Sequence, residues 1–268
     1  MKEQKISIIG GGNLGTSLAK GLILSKQFTY DDLLISEKSQ DRLAALKEMG
    51  FKVTSDNHEA IRWANTIVMS VKPQQFNALA SELKSSIDCR KLFISTITSV
   101  TNEEIEKQLG EHAIARIIPN TALEILESMT CISFNRLTTD KQKAELKDMF
   151  DKMGATIVIN EDLMGAATVV GACGTAFALR FIRAMAQGGI EIGFNSEVSH
   201  FITAQTVKGA AKLLLETGNH PEYEIDKVTT PQGITISGLN EMAYQGFSSA
   251  VIKGIVTSYS KLESVRKQ

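Results

Sequence analysis

Three glycines near the start of the chain carry its clearest chemistry. Gly10, Gly12 and Gly15 stand in G-x-G-x-x-G spacing within Gly10-Gly11-Gly12-Asn13-Leu14-Gly15. Each position has its own reason: Gly10 permits a tight turn, Gly12 lets the backbone approach a pyrophosphate, and Gly15 allows a helix to pack closely on a strand. The apolar run at residues 5–10 reads as a buried strand, and Leu14, Leu18, Leu22 and Ile23 behind it share one helical face. That context predicts a dinucleotide site, with Asn13 and Leu14 opening a helix whose N–H groups and positive dipole end point at phosphates. An ordinary strand–helix turn is the competing reading.

The end of the second strand governs the choice of cofactor. A lone acid there accepts from the ribose 2′-OH of NAD, whereas a basic residue accommodates the 2′-phosphate of NADP. The chain offers both, as Glu37, Lys38 and Ser39. Glu37 would repel a phosphate, while Lys38 and Ser39 would hold one, so NADP and NAD both stay open, with NADPH slightly favoured. His58, His112, His200 and His220 are far apart and lack metal-ligand spacing, so no metal is expected. Cys173 lies among small residues and reads as an inert buried thiol.

These residues need a scaffold, and the chain supplies one by alternation. Short apolar runs at residues 5–10, 32–36, 52–54, 66–71, 92–95 and 115–118 alternate with helical patterns, and Pro73 suits a helix first turn. Runs at 131–134 and 155–159 read as late strands flanking a charged helix at 140–153. The implied class is α/β, with an N-terminal Rossmann-type, doubly wound, mostly parallel sheet. After Glu161 the strand-like runs stop and small residues fill long helical patterns, so a C-terminal all-helical domain is expected. The boundary is placed near 160, giving a dinucleotide-binding domain over 1–160 and a helical dimerisation and substrate domain over 161–268.

Composition narrows the partners. The 268 residues are 43% hydrophobic and 22% charged, with 29 Lys+Arg against 30 Asp+Glu. A nucleic-acid or acidic-membrane partner would leave a basic stripe, and none is present, so a small-molecule substrate is favoured. Three scattered cysteines, Cys89, Cys131 and Cys173, fit a reducing cytoplasm better than a disulfide framework. No signal peptide and no run of eighteen uninterrupted apolar residues is read, so no membrane span is expected.

Further segments follow in order along nearly the whole chain: Asp56-Asn57, Val71-Lys72-Pro73-Gln74, Ile118-Pro119-Asn120-Thr121, Gln205 to Ala210, Gly218 to Pro221, and Val228-Thr229-Thr230-Pro231-Gln232-Gly233-Ile234-Thr235. Together they resemble the pyrroline-5-carboxylate reductase family. The resemblance implies that Asn57 approaches the adenosine ribose. It places Val71, Lys72 and Pro73, and the turn at Pro119 and Asn120, beside the nicotinamide half. It assigns the substrate carboxylate to the turn of Thr230, Pro231, Gln232, Gly233 and Ile234, with Thr235 hydrogen-bonding near the imine nitrogen. Thr229-Thr230-Pro231 also reads as a helix N-cap with proline in the first turn. Departures stand at Ala122 for proline, at Leu126, Ser128 and Gln232 for glycines, and at Thr175 for proline.

The family reaction is hydride transfer to the C=N bond of 1-pyrroline-5-carboxylate, giving proline. A protonated imine is already a good electrophile, so the protein need only hold donor and acceptor together, exclude water and neutralise a carboxylate. Two alternatives remain. One is a related reductase or dehydrogenase of another imino or hydroxy acid, with Lys208 as its acid–base group. The other is a nucleotide-binding regulatory homologue that has lost turnover. The resemblance also implies a homodimer or larger homo-oligomer built through the helical domain.

Overall fold

The computed structural model describes residues 5–87 and 90–266, so Cys89 lies outside the described residues. The chain divides into two compact units. One runs to Cys173 and also takes in the segment from Lys261; the other is Gly174–Ser260. This packing division falls later in the chain than 160.

The first unit alternates β1 (Ile6–Ile9), α1 (Asn13–Leu24), β2 (Leu33–Ser36), α2 (Gln40–Glu48), β3 (Lys52–Thr54), α3 (Asn57–Trp63), β4 (Thr66–Met69), α4 (Phe76–Lys84), β5 (Leu92–Ser95), α5 (Asn102–Leu109) and β6 (Ala113–Ile118). It ends with β7 (Ser128–Phe134), α6 (Asp140–Asp151), β8 (Gly154–Val158) and α7 (Met164–Ala167), followed by a π-helical stretch, Thr168–Cys173. Pro73 opens a short 3-10 turn, Pro73–Gln75, ahead of α4.

The eight strands lie in the order β3-β2-β1-β4-β5-β6-β7-β8. Every neighbouring pair is parallel except β6 and β7. That exception follows from chain length: too few residues separate Ile118 from Ser128 for a parallel crossover, so β7 turns straight back.

The central strands β1, β2, β4, β5 and β6 read as nearly unbroken apolar runs because both faces of the sheet are covered there, whereas the edge strands β3 and β8 are partly exposed. Ile6, Ile8, Leu33, Ile35, Val68 and Ile94 pack with Leu18 and Leu22 of α1, Leu46 of α2 and Phe150 of α6. Their alternates Ile9, Leu34, Ile67, Met69 and Phe93 pack with Ile61 of α3, Leu79 and Leu83 of α4 and Ile105 of α5. Period-two side chains thus feed two cores from one set of strands.

The second unit holds α8 (Gly174–Glu191), α9 (Ser196–Thr217), α10 (Pro221–Lys227), α11 (Ile234–Tyr244) and most of α12 (Phe247–Arg266). Tight helix contact is visible at Gly189, where a Cβ would collide with the Ser199 hydroxyl, which donates to the Ala186 carbonyl at 2.7 Å. Gly218, at φ 67°, ends α9, and His220 caps α10 with Pro221 in its first turn.

Candidate functional site

β1 has β2 on one side and β4 on the other, so the strand order reverses there and a crevice opens beyond their carboxyl ends. Gly10 follows β1 at φ 106°, and a Cβ on it would overlap the Ser70 carbonyl oxygen just past β4. Gly10 N–H donates to Ser36 O at 2.8 Å, and Ser70 N–H to Ile9 O at 2.8 Å, which pins the turn between both neighbours. A Cβ on Gly15 would overlap the Gly10 carbonyl, so α1 can sit this close to β1 only with glycine there. Gly12 is the N-cap of α1, and no side chain caps the helix. The first N–H groups of α1 therefore keep their hydrogen-bonding capacity for a ligand.

A cleft of about 510 Å³ opens in front of this turn. Of the residues expected from sequence, Gly10, Gly12, Glu37, Lys38, Asn57, Val71 and Lys72 line it. Asn13, Leu14, Gly15, Ser39, Pro73, Pro119 and Asn120 do not. Asn57 is buried, accepts from the Ser36 hydroxyl at 2.6 Å and donates to Glu82 Oε1 at 3.1 Å. Asp56 beside it is the N-cap of α3, accepting from His58 N–H at 2.8 Å.

Two charged residues in the cleft escape the sequence reading, Arg42 and Glu82. Arg42 Nη1 donates to Gly11 O at 3.4 Å, and Glu82 Oε2 pairs with Lys38 Nζ at 3.3 Å. Arg42 lies in the first turns of α2, one turn past Glu37–Ser39, which is the one signal that could have found it. Glu82 has no local signal, because only the packing of α4 brings it to β2.

Asn120 organises the turn after β6. Its Oδ1 accepts from Ala122 N–H at 3.0 Å, and its Nδ2 donates to Gly171 O at 3.1 Å within the π-helical stretch. A π turn widens the helix and loosens its own carbonyl ladder, so a side-chain donor there has a ready acceptor. Cys131, on β7, is buried, and that burial pushes its thiol pKa up; Cys173, in the π-helical stretch, is only half-buried.

In the second unit, Gly233 N–H closes a turn onto Thr230 O at 2.9 Å, and a Cβ on Gly233 would press against the Thr230 hydroxyl. α11 begins at Ile234 with Gly233 as its N-cap, so Thr229 and Thr230 are not the cap and Pro231 stands ahead of the helix. No side chain caps α11. Lys208, on α9, is exposed, and its neighbour Lys212 pairs with Glu216 at 3.4 Å. Among the described residues no group of three His, Cys, Asp or Glu side chains could hold a metal ion.

Residues 161–265 match the family model described as pyrroline-5-carboxylate reductase dimerisation, and residues 5–99 match that of the coenzyme F420-dependent NADP oxidoreductases. Pyrroline-5-carboxylate reductase 2 of Dictyostelium discoideum is 39% identical over 97% of this chain and 92% of its own length. The chain belongs to the pyrroline-5-carboxylate reductase family. Pyrroline-5-carboxylate reductase 1 of the same organism is 43% identical over 99% of this chain, which spans 50% of that longer protein. Among solved structures, the Plasmodium falciparum pyrroline carboxylate reductase with NADP bound matches with a TM-score of 0.90 at 25% identity, covering 98% of each chain. The family is one of NAD(P)-dependent oxidoreductases.

Most of the departures from the family pattern have local physical accounts. Ala122 supplies the N–H that Asn120 caps, which a proline lacks. Ser128 is buried, and its hydroxyl accepts from Asn120 N–H at 3.2 Å. Leu126 and Gln232 stand at φ 59° and φ 57°, so both keep the left-handed backbone that glycine adopts freely. Leu126 offsets that strain by packing on the core. Exposed Gln232 has no such offset. Left-handed strain of about 1–2 kcal/mol there, less about 0.4–1 kcal/mol for the freer unfolded chain, means that Gln232→Gly should raise stability by about 0.5 kcal/mol in a denaturant melt. Nothing in the structure accounts for Thr175.

Proposed function

We propose that the chain reduces the C=N bond of 1-pyrroline-5-carboxylate to give proline, using NADPH or NADH bound in the cleft beyond β1 and β4. The observation that carries this reading is the glycine cradle itself: Gly10, Gly12 and Gly15 stand where a side chain would fill the cleft or displace backbone. The likeness to named reductases over nearly the whole chain supports it.

When bound, the reduced nicotinamide supplies the hydride. Asn13, Leu14 and Gly15 offer N–H groups to the phosphates, and Asn57 faces the adenosine ribose. Val71, Lys72 and Pro73, with Pro119 and Asn120, hold the nicotinamide half. Thr230 and Gly233 take the substrate carboxylate, with Pro231, Gln232 and Ile234 shaping the turn; the uncapped N–H groups at the start of α11 suit an anion. Thr235, in the first turn of α11, hydrogen-bonds near the imine nitrogen. Because the protonated imine is already electrophilic, no general acid is needed. Lys208→Ala should therefore leave kcat/KM within about twofold, as for an ordinary surface substitution, and a loss beyond about 100-fold, the scale of a missing acid–base group, would point to a carbonyl substrate instead.

The direct test is loss of nicotinamide absorbance with purified protein, 1-pyrroline-5-carboxylate and either cofactor. Turnover of about one per second or faster is expected. No turnover, in protein that demonstrably binds the cofactor, would overturn the reading.

The helical unit is the surface through which copies assemble. Ile192, Phe201, Leu215, Ile252 and Val256 all leave most of their surface exposed in the single chain. The helical run Glu161–Glu191 is long and apolar enough to cross a membrane, and 6% of its most apolar window is buried. We read this run as an interface helix of a cytoplasmic homodimer or larger homo-oligomer, consistent with the dimerisation model matched there.

A further inference from the structure

The first donors beyond β2 are already spoken for. Glu37 Oε1 accepts from Lys38 N–H at 2.8 Å and from Ser39 N–H at 3.0 Å. Those two N–H groups lead into α2, whose N-cap Ser39 makes no side-chain cap, and they are the backbone donors a ribose 2′-phosphate would need. The carboxylate of Glu37 sits on them instead. Glu37 lies beside the glycine turn, since a Cβ on Gly11 would stand 3.2 Å from its Cβ.

The nearest cations are engaged as well. Lys38 Nζ pairs with Glu82 Oε2, and the other oxygen of Glu82 takes the Asn57 amide. Arg42 reaches the Gly11 carbonyl. Lys38 and Ser39 taken alone favour a phosphate, but the fold gives their donors to two acids. A 2′-phosphate dianion would have to displace Glu37, separate Lys38 from Glu82, and sit near two carboxylates in a half-solvated cleft. A ribose 2′-OH meets none of these costs and can donate to Glu37.

We infer that Glu37, with Glu82 holding Lys38, makes NADH the more tightly bound cofactor of this chain. The inference rests on the reading of the cleft as a dinucleotide site. Glu37 acts on the ribose directly, and Glu82 is a positioning residue acting through Lys38.

Calorimetric titration of the purified full chain with NADH and with NADPH, without substrate, tests both statements. NADH should bind about tenfold tighter, the effect of one unfavourable charge contact. Glu37→Gln should tighten NADPH by about tenfold and weaken NADH by about three- to tenfold, because a neutral amide accepts from the 2′-OH less strongly than a carboxylate. Glu82→Gln, which frees Lys38, should tighten NADPH by a few-fold without weakening NADH. A melting curve for each variant confirms that it is folded. NADPH binding as tightly as NADH to the parent chain, or an unchanged ratio in Glu37→Gln, would overturn the preference while leaving the cleft a dinucleotide site. Binding of neither would remove the cleft reading and the preference together.

Discussion

Glu161→Ala is expected to lower the unfolding free energy by about 3 kcal/mol, the lower end of the range for breaking one side of a buried ion pair. Arg116 rises from β6 with 5% of its side chain exposed, and its Nη1 lies 2.7 Å from Glu161 Oε1. The same oxygen accepts from Asn102 N–H at 2.7 Å, the first residue of α5. Nη2 donates to Thr98 O at 3.1 Å, and Nε has no partner. Removing the carboxylate strands a buried guanidinium on a single carbonyl and uncaps one helix N–H. The glutamate side is 31% exposed, so water can enter and soften the loss. Glu161→Gln keeps an acceptor and should lose roughly half as much. A double change to Arg116→Met and Glu161→Leu should recover most of the stability, because two apolar groups leave no orphaned charge. Urea unfolding of the four proteins checks this. A loss below about 1 kcal/mol in Glu161→Ala would mean that the pair behaves as a surface contact.

Much of this fold could be read in advance because burial on both faces writes itself into composition. Leu33-Leu34-Ile35 and Ile67-Val68-Met69 serve two cores at once, so their apolar runs announce central strands. The capping box of Thr101 and Glu104 at the start of α5 is a local signal that the sequence reading passed over, while the N-cap read at Thr229 and Thr230 lies instead at Gly233. The glycine turn was legible because each glycine answers a local steric demand. Other features depend on contacts between segments distant in sequence, and no window of residues contains them. The reversal of β7 depends on loop length, and the π-helical widening at Thr168–Cys173 gives no periodic signal. Glu82 reaches Lys38 only because α4 packs against α3, whose first residue Asn57 also holds Glu82. The positive φ at Gln232 is marked only by the glycine that the family carries at that position, not by its own side chain.

Gly15→Ala and Gly12→Ala should separate packing from ligand approach, and they should do so with large effects. At Gly15 the new methyl group would overlap the Gly10 carbonyl. That carbonyl cannot retreat, since Gly10 is held by its bond to Ser36 and by contact with Ser70. The helix α1 must therefore move off β1, which loosens Leu18 and Leu22 in the core and carries the phosphate-facing N–H groups with it. Strain of this kind costs about 1–3 kcal/mol, and a displacement near 1 Å costs about 100-fold in a rate that depends on positioned groups. Gly12 differs: its φ of −69° and ψ of −173° suit alanine, and the one neighbour of the new methyl is Arg42 Nη1 at 3.2 Å, the end of a flexible side chain. Gly12→Ala should melt within a degree or two of the parent, about 0.5 kcal/mol. It should nonetheless lose NADH affinity by tenfold or more, because the methyl stands where a pyrophosphate must approach. Gly15→Ala should lose both stability and binding. If Gly12→Ala binds NADH like the parent, the pyrophosphate does not lie against the turn, and the cradle's glycines serve the packing of α1 alone.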